Sequence, residues 1–516
     1  RRLGSCRGFV SGSEAMKVAF RADASVQIGT GHVMRCLTLA TELRGRGHAC
    51  RFVCRDLPGH LSQMIGAAGF DLTLLPAPAD DFKAGADDPG HAAWAGVPWK
   101  LDAAQTLAAA QDVDWLVVDH YAFDARWQTD ALAPGVRLAV IDDLADRAHA
   151  TDLLLDQNLG RLSKDYYDLL PQKAERLIGP KYAILRPEFA ALRETALARR
   201  AERGNTVKTV LVSMGGVDLD NATGAVLSVL GTQLDLRVTV VMGANAPALD
   251  LIRAQARRVQ VIVNTSDMAG LMAKADLAIG AAGGTSWERC ALGLPTLVAV
   301  LADNQAEAAV ALSTAGAAIE IGSPKSSKFP AKLADALKRA QVSANLSALS
   351  RSAASVTDGR GVARVADALE YPLALRRATM DDAESIWHWR RALPVSHFRI
   401  QSTPSRREHL SWFSGALSDA GRRLYVAGDP SIAHLRLDLD DKGHAAVSVI
   451  LAPDARGKGL GLRLLSLLAG AGRAEGLSAL VAEVHSENTA SIGLFRAGGY
   501  AEMGLIDGFY GFKLAL

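Results

Sequence analysis

An apolar run that ends in a glycine turn and then opens a helix occurs in both halves of this chain, and no other feature narrows the fold as much. Near the start, Val18-Ala19-Phe20-Arg21-Ala22-Asp23 reads as a buried strand. The stretch Ile28-Gly29-Thr30-Gly31-His32-Val33-Met34-Arg35 then hands it over to a helix whose inner face carries Val33, Leu37, Leu39 and Ala40. Further on, Thr209-Val210-Leu211-Val212-Ser213 runs straight into Met214-Gly215-Gly216, and Leu277-Ala278-Ile279-Gly280-Ala281 runs into Ala282-Gly283-Gly284-Thr285-Ser286-Trp287-Glu288. Repeated strand-turn-helix units build doubly wound parallel α/β sheets. The stretch from Arg193 through Arg203, Gly204 and Asn205 is charged and low in large apolar residues, so it separates two such lobes and leaves a cleft between them.

At 516 residues the chain exceeds what one core can organise. A third unit begins near Tyr371-Pro372-Leu373, where proline stops a helix-like run over 361–369, and its clustered Trp387, Trp389 and Trp412 set it apart. The expected organisation is an upstream extension over 1–15, a first lobe over 16–195, a second over 205–369 and a third domain over 373–516. The extension lacks the apolar centre of a signal peptide and precedes Met16-Lys17-Val18. With 57 basic and 55 acidic side chains, a net charge of +2 gives no pull toward nucleic acid. No apolar run approaches the ~20 residues that span a bilayer, so no membrane partner is expected. The five cysteines show no pairing or metal-ligand spacing, and Cys50 and Cys54 lie on one side of a strand-like run. Buried thiols in a reducing, cytoplasmic compartment follow.

Gly29 and Gly31 let a ligand approach the backbone, and the helix that follows presents unpaired N–H groups and a positive dipole end to a phosphate. His32 in that turn suits either acid-base work or a helix-cap fixture. Asp119, His120, Tyr121, Asp142 and Asp143 end strand-like runs, where ligands of parallel sheets lie, although aspartates there also cap helices. In the second lobe, the small residues before Glu288 fit a diphosphate, and its carboxylate can accept hydrogen bonds from ribose hydroxyls.

These motifs, taken in order over 16 to about 369, resemble the PseG-type UDP-sugar hydrolases of pseudaminic acid biosynthesis, which share the GT-B fold of MurG. The resemblance rests on Phe20-Arg21-Ala22-Asp23-Ala24-Ser25, Gln27 to His32 with Arg35, Asp119-His120-Tyr121, Ile141-Asp142-Asp143, Ser213-Met214-Gly215-Gly216 and the Gly283 to Glu288 turn with Asn304-Gln305. It implies metal-independent hydrolysis of UDP-2,4-diacetamido-2,4,6-trideoxy-β-L-altropyranose to free sugar and UDP. His32 corresponds to the family's catalytic general base. Gly29, Gly31, Arg35, Asp119, Tyr121, Asp142, Gly215, Gly216, Gly284, Ser286, Glu288, Asn304 and Gln305 fall at substrate-binding positions. Imidazole as a residue type titrates near neutral pH and can take a proton from water while UDP departs as a stabilised anion. MurG-like transferases share the glycine turn and Glu288 but attack with an acceptor hydroxyl, and the Phe20 to Arg35 block favours the hydrolases.

From about 373 to 516 the chain resembles GNAT acetyltransferases. The signature is Val447-Ser448-Val449-Ile450-Leu451, then Arg456-Gly457-Lys458-Gly459-Leu460-Gly461, then a helix, with Asn488-Thr489-Ala490-Ser491 following later. The resemblance implies acetyl-CoA as co-substrate, its pyrophosphate cradled by backbone N–H groups. The implied acetyl-CoA positions are Val449, Leu451, Arg456, Gly457, Gly459, Gly461 and Asn488. More narrowly, Trp389-Arg390-Arg391 and Glu408-His409-Leu410-Ser411-Trp412-Phe413 look like PseH, which acetylates the 4-amino precursor of the same UDP-sugar. Arg390, His409 and Trp412 suit either a nucleotide-sugar site or, for Trp412 above all, the core. Phe495 stands where the family carries a tyrosine, and phenylalanine has no proton to give the leaving thiolate. Tyr500, Tyr510 or water would then replace it, with Glu483 and His485 as candidate bases; a domain that only senses acetyl-CoA is the competing reading. One inverted hydroxyl leaves no trace in these motifs, so pseudaminic and legionaminic routes to nonulosonic acids both fit.

Overall fold

The computed structural model describes residues 15–78, 82–202, 206–231, 235–255, 259–397, 399, 402–428 and 431–516. Nearly all of the expected upstream extension, and the Arg203-Gly204-Asn205 separator, lie outside them.

The first sheet contains β1 (Lys17–Ala22), β2 (Ala49–Arg55), β3 (Asp71–Leu75), β4 (Trp115–Asp119), β5 (Arg137–Ile141), β6 (Leu153–Asp156) and β7 (Glu175–Ile178), in the order β3-β2-β1-β4-β5-β6-β7. All of its pairings are parallel. Alternate residues of each strand feed opposite cores. Val18 and Phe20 of β1 join Leu39 and Phe52, whereas Ala19 joins Leu116, Val118 and Trp127. Coverage on both faces is why these strands are continuously apolar instead of alternating.

The second sheet repeats the design with β8 (Thr209–Ser213), β9 (Arg237–Met242), β10 (Val259–Val263), β11 (Leu277–Ala281), β12 (Thr296–Ala299) and β13 (Ile319–Gly322), ordered β10-β9-β8-β11-β12-β13. In each sheet the strand order reverses direction once, between β1 and β4 and between β8 and β11, and crevices for ligands open at the C-terminal ends of such pairs. The chain is therefore a GT-B-like pair of doubly wound lobes followed by a third α/β unit.

Two helices cross the boundaries expected from composition. The helix Pro187–Glu202 packs Phe189 and Ala196 against Leu211, Trp287 and Leu292 of the second lobe. The helix Gly361–Glu370 returns to the first lobe, where Val362, Val365 and Leu369 join Val18 and Phe20. Arg46 and His48 clasp its last residue, Glu370, and Trp115 Nε1 donates to Leu369 O at 3.1 Å. Helical periodicity reveals a buried face but not the lobe that buries it, so the sequence of 361–369 does not announce that the end of the second segment packs on the first lobe.

The third sheet holds β14 (Leu375–Arg377), β15 (Arg422–Ala427), β16 (Ala433–Leu439), β17 (His444–Leu451), β18 (Ala479–His485), β19 (Ala501–Ile506) and β20 (Phe509–Ala515), in the order β14-β15-β16-β17-β18-β20-β19. Its one parallel pair, β17 with β18, is joined only from His444–Ala446 to Ala479–Val481. Beyond that both strands continue unpaired with each other, to Leu451 and His485, and a wedge opens between them.

The helix Leu460–Ala474 of this third unit lies on β7, the outer strand of the first sheet. Arg463 and Glu175 form an ion pair there, 5% and 3% exposed, and Arg463 also donates to Tyr371 O at 2.7 Å. One helix face further on, the Arg473 guanidinium covers the Tyr167 ring at 3.6 Å. Removing one partner of a buried pair strands the other charge at a cost of about 3–5 kcal/mol. Glu175→Ala is accordingly expected to lower the denaturation midpoint of the full chain sharply. Replacing both partners by leucine and methionine should restore most of it.

Candidate functional site

The chain between β1 and the helix Gly31–Gly45 turns back on itself. Ser25 and Gly29 form an isolated bridge, Ser25 Oγ accepts from the Ile28 N–H at 2.9 Å, and Gly29 has φ of +82°, a conformation that favours glycine. The helix then starts without a side-chain cap and without an acidic residue in its first turn, leaving its N–H groups toward the cleft, where Thr30 and Gly31 form part of the wall.

His32, the second residue of this helix, is 7% exposed. Its Nδ1 meets Asp119 Oδ1 at 2.5 Å, at the end of β4. A carboxylate only accepts, so this contact puts the proton on Nδ1 and leaves the Nε2 lone pair as the free acceptor. One helical turn on, Arg35 binds both Asp119 oxygens and donates to Asp143 Oδ2 at 2.6 Å. Tyr121 adds its hydroxyl to Asp143 Oδ2 at 2.9 Å. Burial alone would raise the Asp119 carboxyl, but the charges of Arg35 and His32 outweigh it and hold the group well below the usual carboxylate range. It is thus a permanent anion beneath the imidazole.

A cavity of about 550 Å³ separates the lobes, with His32, Arg35, Tyr121 and Asp143 on one side and Gly283, Gly284, Thr285, Glu288 and Gln305 on the other. Burial pushes the Glu288 carboxyl up to about 7, partly countered by Arg186 and Arg289. Gln305 Oε1 accepts from the Leu301 N–H at 3.2 Å, and the Asn304 side chain lies outside the described residues.

Several expected substrate residues are placed elsewhere. Asp119 is fully buried and reaches the cleft only through His32 and Arg35. Asp142 is also fully buried, held by Arg147 at 2.9 Å and by the Tyr166 hydroxyl at 2.8 Å, and its neighbour Asp143 takes the place at the cavity wall. Ser286 is 2% exposed and accepts from Arg289, which also grips Ala281 O; a Cβ on Gly280 would stand 2.6 Å from that guanidinium. Its hydroxyl therefore stabilises the turn from inside. Gly215 and Gly216 are exposed at the end of β8, outside the cavity wall. The Arg21 and Asp23 of the first motif are buried in a network with Asp102 and Arg55, which braces the floor of the first lobe. Conversely, Asn158, Arg186, Thr265 and Met268 line the cavity without any motif to announce them.

In the third unit, Gly457 and Gly459 have φ of +74° and +73°, and the helix Leu460–Ala474 opens after Gly459 with no side-chain cap. Val449 and Leu451 lie on the stretch of β17 that diverges from β18. The other expected acetyl-CoA residues are occupied structurally. Arg456 donates to the carbonyls of Leu451, Ala392 and Trp389. Gly461 is small because a Cβ would stand 2.8 Å from Leu494, and Asn488 caps the helix Thr489–Ala497 by accepting from the Ser491 N–H at 3.1 Å. Phe495 stacks on Phe512 with centroids 5.6 Å apart, inside the core. Trp412 is half-buried at the edge of a core cluster under Arg436, and His409 is buried with Nε2 on Ala383 O at 2.9 Å. His485 Nδ1 accepts from the Glu487 N–H at 3.3 Å, and its ring meets Phe509 edge-on with centroids 5.1 Å apart.

Comparison with known proteins follows this division. The acetyltransferase (GNAT) family model matches residues 384–500, and the glycosyltransferase family 28 C-terminal domain matches residues 209–367. A UDP-2,4-diacetamido-2,4,6-trideoxy-beta-L-altropyranose hydrolase from Campylobacter jejuni is 27% identical over 216 residues, covering 42% of this chain and 66% of the relative. An L-methionine sulfoximine/L-methionine sulfone acetyltransferase from Pseudomonas aeruginosa is 34% identical over 128 residues, covering 25% of this chain and 72% of the relative. The crystal structure of MurG from Acinetobacter baumannii aligns over 69% of this chain and 99% of its own, at 13% identity and a TM-score of 0.50, a likeness of fold. Across the first three curated relatives that it matches, the chain spans 43%, 55% and 66% of their lengths. Among the described residues no helix is long and apolar enough to cross a membrane, and no group of three or more His, Cys, Asp or Glu could hold a metal ion.

Because the folded pKa of Glu288 is raised, the unfolded chain binds fewer protons than the folded one between about 4.5 and 7. Stability is therefore lost as pH rises through that window. Glu288→Gln should raise the melting midpoint at pH 8 and leave it unchanged at pH 4.

Proposed function

Since the C-terminal part of the chain belongs to the GNAT acetyltransferase family and its two lobes are homologous to the PseG-like UDP-sugar hydrolases, we propose a bifunctional nucleotide-sugar enzyme that acetylates a UDP-amino sugar and then releases UDP from it. The observation that carries the hydrolytic half is the His32 and Asp119 contact, which aims a free imidazole nitrogen at a cleft walled by a bare helix end.

In the hydrolytic step, water attacks the anomeric carbon of UDP-2,4-diacetamido-2,4,6-trideoxy-β-L-altropyranose and gives a proton to His32 Nε2. The bond from that carbon to the diphosphate oxygen breaks, and its electron pair leaves with UDP. Asp119 stabilises the imidazolium that forms, as a buried carboxylate does for a catalytic histidine. Backbone N–H groups at Gly31 and at Gly284-Thr285 face the diphosphate, and their fixed dipoles need no rearrangement as charge develops on it. Glu288 and Gln305 receive the nucleoside end.

For acetyl transfer, the 4-amino group of the precursor attacks the thioester carbon of acetyl-CoA in the wedge between β17 and β18, forming the N–C bond as the C–S bond breaks. The amine nitrogen loses a proton as the amide forms, and the departing thiolate takes one up. The bare N–H groups after Gly459 receive the pyrophosphate. A second reading has an observation of its own: the 34% identical relative is an L-methionine sulfoximine/L-methionine sulfone acetyltransferase, so a free amino acid is the competing acceptor.

Incubating the full chain with UDP-4-amino-4,6-dideoxy-β-L-AltNAc should release UDP only when acetyl-CoA is present. Free thiol produced with L-methionine sulfone, and none with the amino sugar, would establish the amino-acid reading instead. His32→Ala is expected to cut UDP release by roughly 10²–10⁴-fold while thiol release from acetyl-CoA continues. Asp119→Asn, which frees the imidazole to adopt the wrong tautomer, should lower kcat by a comparable factor, about 10³-fold, with KM little changed.

A further inference from the structure

The seam between the first lobe and the third unit holds a cluster of polar groups that the Glu175 and Arg463 pair leaves unsatisfied. Arg176 follows Glu175 on β7 and is 8% exposed. Its guanidinium lies against the helix Leu460–Ala474, where a Cβ on Gly470 would stand 3.9 Å from Nη1. Three residues further along that helix, Arg473 covers the Tyr167 ring and donates to the Tyr167 hydroxyl. Tyr500, immediately before β19, is 4% exposed and lies within reach of the Arg473 charge.

Three polar atoms of this cluster are buried without a hydrogen-bond partner: Arg176 Nε, Arg473 Nε and the Tyr500 hydroxyl. All three can donate. Among the described residues neither guanidinium is ion-paired with a carboxylate, whereas Arg463 on the same helix has Glu175. The bond that Arg176 does make goes to a neutral acceptor, Ala174 O at 3.3 Å. Burial and the Arg473 charge hold Arg176 below the usual guanidinium range, and burial lowers Arg473 as well. Burial also pushes the Tyr500 hydroxyl up, which keeps its proton in place. Buried polar atoms are nearly always paired, and two desolvated cations side by side are relieved by a negative charge between them.

We infer that Arg176, Arg473 and Tyr500 form a binding site for a small oxyanion, inorganic phosphate or sulfate, which fastens the third unit to the first lobe. Guanidinium groups present planar forks of N–H donors that match phosphate oxygens, and the hydroxyl adds a further donor. Packing sets the size of the ligand. A Cβ on Gly470 would stand 3.4 Å from Gln172 O, so helix and lobe are in close contact beside the cluster, and a small anion suits the gap better than a nucleotide. Tyr167 and Arg473 are half-buried, which leaves the edge of the site open to solvent. It lies near the end of the helix Leu460–Ala474, away from the turn after Gly459, and its two full charges outweigh the partial negative charge of that helix end.

The test follows thermal unfolding of the full chain while potassium phosphate replaces potassium chloride at constant ionic strength and pH. The melting midpoint should rise saturably with phosphate, and sulfate should act alike. Tyr500→Phe keeps the ring and removes one donor, so it should need roughly tenfold more phosphate for the same rise. Arg176→Met should abolish the rise. In chloride alone it should melt no lower than the parent, because an uncompensated buried charge has been removed. The site is overturned if phosphate does no more than chloride, or if either variant titrates like the parent, the result for phosphate acting only at the cleft or at the turn after Gly459. It is also overturned if Arg176→Met melts well below the parent in chloride, the result for a guanidinium that serves packing alone.

Discussion

Everything at the cleft depends on the Asp119 carboxylate. It ends β4 with no exposure to solvent, and it survives there as an anion because His32 and Arg35 satisfy both of its oxygens. A buried, unpaired carboxylate would take up a proton instead. The partnership works in both directions: the anion selects the tautomer of His32, and through Arg35 it also orients Asp143 and hence the Tyr121 hydroxyl. Four residues from three strand ends are thereby locked into one arrangement before any ligand arrives, the preorganisation that makes electrostatic catalysis effective.

Much of this was legible in the sequence because the physics is local. A continuous apolar run followed by glycines and a helical period specifies a buried parallel strand and its crossover, and both sheets formed where those runs lie. His32, Arg35, Tyr121, Gly284, Glu288 and Gln305, each within such a motif, line the cavity. The residues that lie away from the cavity wall share a reason. Asp142, Asp119 and Ser286 sit in motifs, but a motif does not say whether a side chain faces a ligand or the scaffold that supports it. At β5 that choice turns on a single step along the chain, Asp142 inward and Asp143 outward. His91 and Trp94 belong to an irregular segment with no periodicity, and their proximity to His32 is created entirely by tertiary folding.

The third unit shows the same distinction. Its wedge and its two left-handed glycines follow from strand pairing and turn geometry, which short motifs encode well. Arg456, Gly461 and Asn488 are in the signature because the turn needs a clamp, the helices need close approach and the next helix needs a cap. A signature of this kind describes a turn that leaves backbone N–H groups bare at a helix start, and most of its side chains serve that shape.

The seam between the first lobe and the third unit is built like the interior of a protein. The helix Leu460–Ala474 lies along the outermost strand of the first sheet and buries the Arg463 and Glu175 pair against it. An uncovered outer strand is a template for pairing with other chains. The acetyltransferase thus doubles as an edge guard for its neighbour, and cutting the chain at residue 371 would yield a first lobe with a sticky flank and a stranded carboxylate. It also means that the turn after Gly459 and the His32 site belong to one packed body, since the helix that the turn opens is the one that carries Arg463 onto Glu175.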